Sequence, residues 1–261
     1  DTAIRPLLQA DIVPDLFITI DPAKDLFLFE QEGVGEVPMV LSIGVKKGVS
    51  KIHKGRHFYV LNSGDYMANI MKQYKKKVVS TSSGGSVATD AFVLLRKMGF
   101  KTIILVGQDL AYPGNRSHAK AAYDDMVDQS KGIYFEVEDI HGGQVLTRVD
   151  MNHYRRWFED EIAADNNLHV IDATEGGALI RGSEIMTLAD AIEREKKQTY
   201  DFHALLKSVP DIFTPEEQQE VLIELNDLPD KIASTKIKLK EGVKLFESLQ
   251  RSNEKREYKT K

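Results

Sequence analysis

The sequence of 261 residues contains no cysteine. This absence excludes disulfides, thiol nucleophiles and thiolate metal sites. Histidines are scattered without metal-ligand spacing, and neither an HExxH nor a DxD motif occurs. No apolar run approaches the roughly 18 residues that a membrane-spanning helix requires. We therefore expect no protein-bound catalytic metal and no membrane span.

The charge of the chain is unevenly distributed. The net charge is −5, but residues 231–261 carry ten basic and four acidic side chains, which leaves −11 on residues 1–230. Only Phe246 and Tyr258 interleave with these basic residues, so we expect a solvated basic face and no nucleic-acid partner. The first residue is Asp1, with neither Met nor a signal region, and this start predicts a piece of a longer polypeptide.

Short runs rich in Val, Ile and Leu recur between helical patterns, as is typical of buried parallel strands covered by helices. Residues 86–98 carry the apolar stripe of an amphipathic helix that Gly99 ends. A second helix is predicted from about Met151 to Ala164, with Tyr154, Trp157, Phe158 and Ile162 on one side. The predicted strands are Leu16–Ile20, Met39–Ile43, His57–Leu61, Val78–Ser82, Thr102–Val106, Ile133–Val137 and Leu168–Ile171. The fold class is therefore predicted to be α/β, a mostly parallel sheet flanked by helices.

The pattern changes towards the end of the chain. Thr187 and Thr214 each stand where a helix N-cap is expected, and no strand-like run follows residue 186. We place a boundary near residue 195. The prediction is an α/β domain at 1–195 and a helical appendage at 196–261.

In an open parallel sheet, ligands bind beyond the carboxyl ends of the strands. Polar or glycine-rich residues follow four of the predicted strands. These are Asp21, Ser82-Ser83-Gly84-Gly85-Ser86, Gly107-Gln108-Asp109, and Asp172-Ala173-Thr174-Glu175-Gly176-Gly177. Their convergence predicts one binding site at this edge of the sheet.

Each of these groups has a functional and a structural interpretation. The Ser83–Ser86 turn precedes a helix, so it could bind a phosphate, or Ser86 could simply be an N-cap. Gln108 and Asp109 suit sugar or nucleoside hydroxyls, but Asp109 could instead anchor its loop. Asp21 is a ribose acceptor or a turn residue, and Thr174–Gly177 is a second glycine cradle or a bend. His118 and His141 are candidate bases or surface histidines.

Two segments resemble a known family. TSSGGSVATDAFVLLRKMGFKTIILVGQDLAYPGN at 81–115 and IDATEGGALIRGSEIMTL at 171–188 look like the motility accessory factor (Maf) flagellin glycosyltransferases, and residues 1–21 support this. The resemblance implies a cytoplasmic enzyme with a Rossmann-like fold, in which residues 1–195 are a nucleotide-sugar-binding catalytic domain whose N-terminal part is missing. It would transfer pseudaminic or legionaminic acid from a CMP-activated donor to Ser or Thr of flagellin, without a further cofactor.

The resemblance leaves the catalytic base open. The segment from residue 82 to residue 109 is also similar to one in bacterial sialyltransferases, whose histidine base would fall about where Thr147 stands. His118 and Asp109 are then the candidate catalytic residues, with His118 preferred. The archaeal hydroxymethylpterin pyrophosphokinases share part of the pattern, so pyrophosphoryl transfer from ATP is an alternative. A non-catalytic flagellin-binding helper, using the C-terminal helices, is another.

Overall fold

The computed structural model describes residues 1–61, 64–77, 81, 84–115, 132–196 and 200–257. The strands are β1 (Phe17–Thr19), β2 (Met39–Ser42), β3 (His57–Val60), β4 (Thr102–Leu105), β5 (Tyr134–Glu138), β6 (Gln144–Arg148), β7 (His169–Asp172) and β8 (Glu184–Ile185). The helices are α1 (Ile4–Gln9), α2 (Val49–Ile52), α3 (Tyr66–Gln73), α4 (Val87–Met98), α5 (Val149–Ala163), α6 (Leu188–Glu195), α7 (Phe202–Ser208) and α8 (Pro215–Glu257). Short 3-10 turns lie at Leu26–Phe29, Val34–Glu36 and Pro113–Asn115.

Two parallel three-stranded sheets form the framework. One has the order β1-β2-β3 and the other β4-β7-β8. The strands of the two sheets are rich in buried Val, Ile and Leu, which is the composition expected for parallel strands covered by helices. The predicted α/β class with parallel sheets is confirmed. The predicted strand Val78–Ser82 lies outside the described residues except for Thr81.

The strand predicted at Ile133–Val137 exists, but its pairing differs from the expectation. It forms β5, which pairs antiparallel with β6 in a separate two-stranded hairpin. Gly142 lies in the connecting turn with a φ of +81°. The carboxylate of Asp139 closes this turn by accepting hydrogen bonds from the N–H groups of His141 and Gly143. Sequence analysis missed β6 and the two-residue β8.

Helix α4 belongs to the hydrophobic cores of both parallel sheets. Val87, Ala91 and Leu94 pack on a cluster formed by Ile18, Val40 and Val60. Phe92, on another face of the helix, is buried in a second cluster with Ile103, Leu105 and Phe158. The stripe predicted for residues 86–98 is thus one of two apolar faces, and α4 connects the sheets.

The ends of α4 are fixed by local interactions. At its N-terminus, Ser86 Oγ accepts a hydrogen bond from the Thr89 N–H at 3.2 Å, and Thr89 Oγ1 accepts one from the Ser86 N–H at 3.0 Å. At its C-terminus, Gly99 has a φ of +96°, the left-handed conformation that glycine adopts at little cost. The predicted bounds of this helix are confirmed.

Helix α5 packs across α4 through aromatic side chains. Trp157 and Phe158 both contact Phe92 edge-on, with ring centroids 5.8 and 5.3 Å apart. Tyr154 and Ile162 pack against the same cluster. The four side chains predicted to share one side of this helix therefore do so.

The chain separates into two compact units, Asp1–Val209 and Pro210–Lys261. Thr187 caps α6 and Thr214 caps α8, as predicted, each accepting a hydrogen bond from the N–H three residues later. Helix α7 belongs to the first unit, and the division into domains 1–195 and 196–261 stays a prediction. Across the described residues, no helix is both long and apolar enough to span a membrane.

Candidate functional site

The loops after β4 and β7 lie side by side. These strands are parallel neighbours, with Leu105 paired to Asp172. Beyond their ends, the Gln108 N–H donates to Thr174 Oγ1 at 3.1 Å, and the Ala178 N–H donates to the Asp109 carbonyl oxygen at 2.8 Å. The structure therefore brings together two of the four groups of site residues expected from the sequence.

Glycine at position 177 allows this close approach. A Cβ there would stand 2.5 Å from Asp109 Cα, and Gly177 has a φ of +82°. At Gly176, a Cβ would lie 3.9 Å from Asp109 Oδ1. The predicted glycine cradle is thus a junction between two loops. Residue 177 is glycine because the backbone of Asp109 leaves no room for a side chain.

Two carboxylates follow adjacent strands at this junction. Asp172 is 1% exposed, and its Oδ1 accepts a hydrogen bond from the Thr174 N–H at 3.1 Å. Burial raises the pKa of Asp172, against the opposing effect of the Thr174 hydrogen bonds. Burial also raises the pKa of Asp109, and the nearby charge of Asp172 raises it further. Asp109 as a whole is half-buried, and its raised pKa makes its carboxylate more basic than an ordinary aspartate.

The carboxylate of Glu175 contacts the start of α6. Its Oε1 accepts a hydrogen bond from the Leu188 N–H at 2.9 Å, at the start of α6. Glu175 also has a φ of +63°, an uncommon conformation for a residue with a side chain. Glu175 therefore links the loop after β7 to α6, and this contact explains its position without a ligand.

The glycines before α4 also have structural explanations. A Cβ at Gly84 would lie 2.5 Å from Trp157 Cγ, so this residue is glycine because the indole ring of α5 occupies the space. Gly85 is exposed with a φ of +97°, so replacing it would strain the backbone. Ser86 is the N-cap of α4, which agrees with the structural interpretation of this turn. Ser82 and Ser83 lie outside the described residues.

The remaining predicted positions are less closely connected. Asp21 follows β1 in the other sheet, where its Oδ1 accepts a hydrogen bond from the Ala23 N–H at 2.7 Å, as in an ordinary turn. Gly107 adopts a φ of +68° directly after β4. His118, the preferred base, lies outside the described residues. His141 is exposed in the β5–β6 turn, so a surface role explains it.

Sequence analysis missed the residues that support the loop after β4. Thr147, which stands where the sialyltransferase histidine would fall, is fully buried and donates to the Leu110 carbonyl oxygen at 2.8 Å. The Tyr112 N–H donates to the Leu146 carbonyl oxygen at 2.8 Å. The hairpin therefore fixes this loop. The run Val145-Leu146-Thr147, which follows the turn residues Gly142 and Gly143, was the available signal for that strand.

Sequence analysis named Asp172 after its predicted strand but gave its side chain no role. In the structure Asp172 is the last residue of β7, and side chains at strand ends border the ligand cleft of such sheets. Among the described residues, no three His, Asp or Glu side chains are grouped to hold a metal ion.

Comparison with known proteins supports the resemblance. Residues 1–115 match the family model described as 6-hydroxymethylpterin diphosphokinase MptE-like. The fold is similar to that of a Maf glycosyltransferase from Magnetospirillum magneticum AMB-1, with a TM-score of 0.55 and 17% identity over 86% of this chain and 32% of that one. An uncharacterized protein of Treponema pallidum (strain Nichols) is 51% identical over 41 residues, which are 16% of this chain.

These matches cover only part of the relatives. The chain spans about a third of the Magnetospirillum protein and a tenth of the Treponema protein. At 17% identity the structural match establishes the α/β fold that the two proteins share. Activity, substrates and partners therefore require an argument from the site itself.

Proposed function

We propose that this chain is the catalytic part of a glycosyltransferase that moves pseudaminic or legionaminic acid from a CMP-activated donor to Ser or Thr of flagellin. The observation that carries the proposal is the position of Asp109. This carboxylate follows β4, is half-buried beside Asp172, and has a raised pKa. A carboxylate of raised pKa in a strand-end cleft suits the removal of a proton from a hydroxyl group.

The proposed reaction requires from the protein a base for the acceptor hydroxyl and N–H groups that stabilise the leaving phosphate. The acceptor hydroxyl oxygen attacks the anomeric carbon of the donor, the bond from that carbon to the phosphate oxygen breaks, and CMP leaves. Asp109 accepts the hydroxyl proton, a contribution of typically about 10² to 10⁴ in rate. In this proposal, N–H groups of the loops containing Gly85 and Gly107 stabilise the leaving phosphate, and both glycines have a positive φ. His118 stays the alternative base.

The test is transfer to purified flagellin, measured by intact mass. Wild-type chain is incubated with flagellin and either CMP-pseudaminic or CMP-legionaminic acid, and Asp109→Asn and His118→Ala are assayed in parallel. Asp15→Asn is the matched control, because Asp15 is exposed and precedes β1. We expect one donor to give a mass increase, lost in Asp109→Asn and kept in Asp15→Asn. Absence of any increase with either donor would contradict the proposal.

A second activity has one observation in its favour. The family model matched by residues 1–115 carries the name of a 6-hydroxymethylpterin diphosphokinase. In that reaction the same cleft would bind ATP, and Asp109 would take the proton of the pterin hydroxymethyl group. Formation of AMP from ATP in the presence of 6-hydroxymethylpterin, without any flagellin modification, would favour this function.

A non-catalytic binding role would not require an accessible cleft. It would be favoured by an occluded loop at Gly84–Ser86 together with exposed apolar residues on the C-terminal helices. Gly84 is buried, but Gly85 is exposed and Ser86 partly exposed, so the turn is accessible in part. The apolar residues of α8 are exposed, and they support the separate inference below.

A further inference from the structure

Helix α8 exposes many large apolar side chains. Leu239, Phe246 and Leu249 are 66%, 69% and 56% exposed. The helix runs from Pro215 to Glu257, which is 43 residues. A helix of this length that is apolar on one side normally buries that side against another helix.

Six of the twelve Val, Ile, Leu and Phe residues of α8 follow a heptad repeat. Starting at Leu225, positions separated alternately by three and four residues form one continuous row, which we call the α8 seam. Its members are Leu225, Leu228, Ile232, Thr235, Leu239, Gly242, Phe246 and Leu249. Six of the eight are large and apolar, and the row spans 225–249, roughly 37 Å of helix at 1.5 Å per residue. A seam with this spacing is typical of a two-stranded coiled coil.

The charges along α8 are divided between its two halves. Residues 215–230 carry six acidic and no basic side chains, whereas residues 231–252 carry six basic and two acidic ones. Two copies aligned in parallel would place acidic half beside acidic half and basic half beside basic half. In the antiparallel alignment that pairs Leu225 with Leu249, residues 217–230, with five acidic and no basic side chains, lie opposite 244–257 of the other copy, with four basic and three acidic ones. Residues 231–243 lie opposite the same segment of the other copy. The antiparallel direction thus keeps the two acidic segments apart, which matters because neighbouring charges interact at physiological salt.

We propose that α8 forms an antiparallel coiled coil with the α8 of a second copy of this chain. The α8 seam supplies the buried row, and the direction is set by the separation of the two acidic segments, which a parallel pair would place side by side. In this alignment Leu225 lies opposite Leu249 of the second copy, and Leu228 lies opposite its Phe246. The inference depends on α8 alone and is independent of the proposed transfer reaction.

The association is tested by sedimentation equilibrium of the 261-residue chain. Leu239→Glu places a charge in the middle of the seam. Ile237→Glu is the matched control, because Ile237 is 59% exposed on the same helix but lies outside the seam. We expect a dimer whose Kd rises at least about tenfold in Leu239→Glu, or about 1.4 kcal/mol, and changes little in Ile237→Glu. A monomeric wild-type chain, or equal effects of the two substitutions, would overturn the proposal.

The direction of pairing is tested by cross-linking of introduced cysteines. The chain has no cysteine of its own that could react with the reagent. Leu225→Cys and Leu249→Cys are treated with a short bis-maleimide, separately and as an equimolar mixture. The antiparallel pair predicts a cross-linked dimer in the mixture and little in either variant alone. Cross-linking of each variant alone indicates a parallel pair, and no cross-linking in any sample indicates no such pair; both results overturn the proposal.

Discussion

Asp172 ends β7, Asp109 lies in the loop after the adjacent parallel strand β4, and the charge of Asp172 contributes to the raised pKa of Asp109. The two carboxylates differ in access, since Asp172 is buried and holds the Thr174 N–H, whereas Asp109 is half-buried. This difference separates their roles in our account. In the proposed reaction Asp109 would take the proton of the acceptor hydroxyl, and Asp172 would adjust the basicity of Asp109 while it fixes the loop after β7.

Replacing Asp109 by Asn is expected to lower the transfer rate by about 10² to 10⁴ while donor binding changes little, because the amide cannot accept the proton. Steady-state kinetics with the active donor measure this as a loss in kcat with a nearly constant KM. A variant with wild-type kcat would exclude Asp109 as the base and return that role to His118.

Replacing Asp172 by Asn removes a charge that raises the pKa of Asp109. The pKa of Asp109 then falls, so the acidic limb of the kcat/KM profile, where activity increases with pH, moves to lower pH. The Asn carbonyl oxygen can still accept the Thr174 N–H, which preserves the loop. The measurement is kcat/KM from pH 4 to 8, and an unchanged limb would mean that the two groups do not interact.

The same substitution has a consequence for stability. Because burial raises the pKa of Asp172 above its unfolded value, the folded state binds the proton more tightly. The ionised carboxylate therefore destabilises the fold once the pH exceeds the folded pKa, and this penalty disappears as the pH falls below the unfolded value. The Tm of Asp172→Asn minus the Tm of the wild type should therefore be larger at pH 7 than at pH 4. A difference in Tm that is independent of pH would contradict the linkage.

Gly84 and Trp157 form a contact that a methyl group would disrupt, since a Cβ at Gly84 would lie 2.5 Å from Trp157 Cγ. Gly84→Ala should lower the free energy of unfolding by about 1–3 kcal/mol, the usual cost of overpacking. Gly64→Ala is the control, because a Cβ there meets nothing within 4 Å. Chemical denaturation measures both, and equal stability of the two variants would show that the indole ring moves away at no cost.

Ser86 and Thr89 cap α4 reciprocally. Ser86→Ala should lower the free energy of unfolding by about 1 kcal/mol, because the Thr89 N–H loses its acceptor. Ser248→Ala is the control, since that hydroxyl donates to the Leu245 carbonyl oxygen within the exposed helix α8. Equal thermal stability of the two variants would be inconsistent with the capping role.

Much of the fold follows from local pattern. The parallel strands, α4 and α5, and the caps at Ser86, Thr187 and Thr214 each depend on periodicity or on residues a few positions apart. The β5–β6 hairpin was misassigned to the parallel sheet, because a short strand with apolar residues does not reveal the direction of its partner. Its turn at Gly142 was a signal that sequence analysis did not use.

The location of the candidate site could be predicted from the sequence, but the reasons for several of its residues could not. Strand ends located Gln108, Asp109 and Thr174 correctly beside one another. The reasons for Gly84 and Gly177 could not be read from the sequence, because Trp157 and Asp109 are distant in the chain and meet them only in the fold. The burial that raises the pKa values of Asp109 and Asp172 is likewise a property of packing.

Hydrogen–deuterium exchange with and without CMP tests most directly whether the strand-end cleft binds the nucleotide. The account predicts slower exchange at saturating CMP in peptides covering 84–90, 106–110 and 173–178, with ATP giving a smaller effect. Unchanged exchange in all three segments at saturating CMP, or protection confined to other parts of the chain, would contradict it.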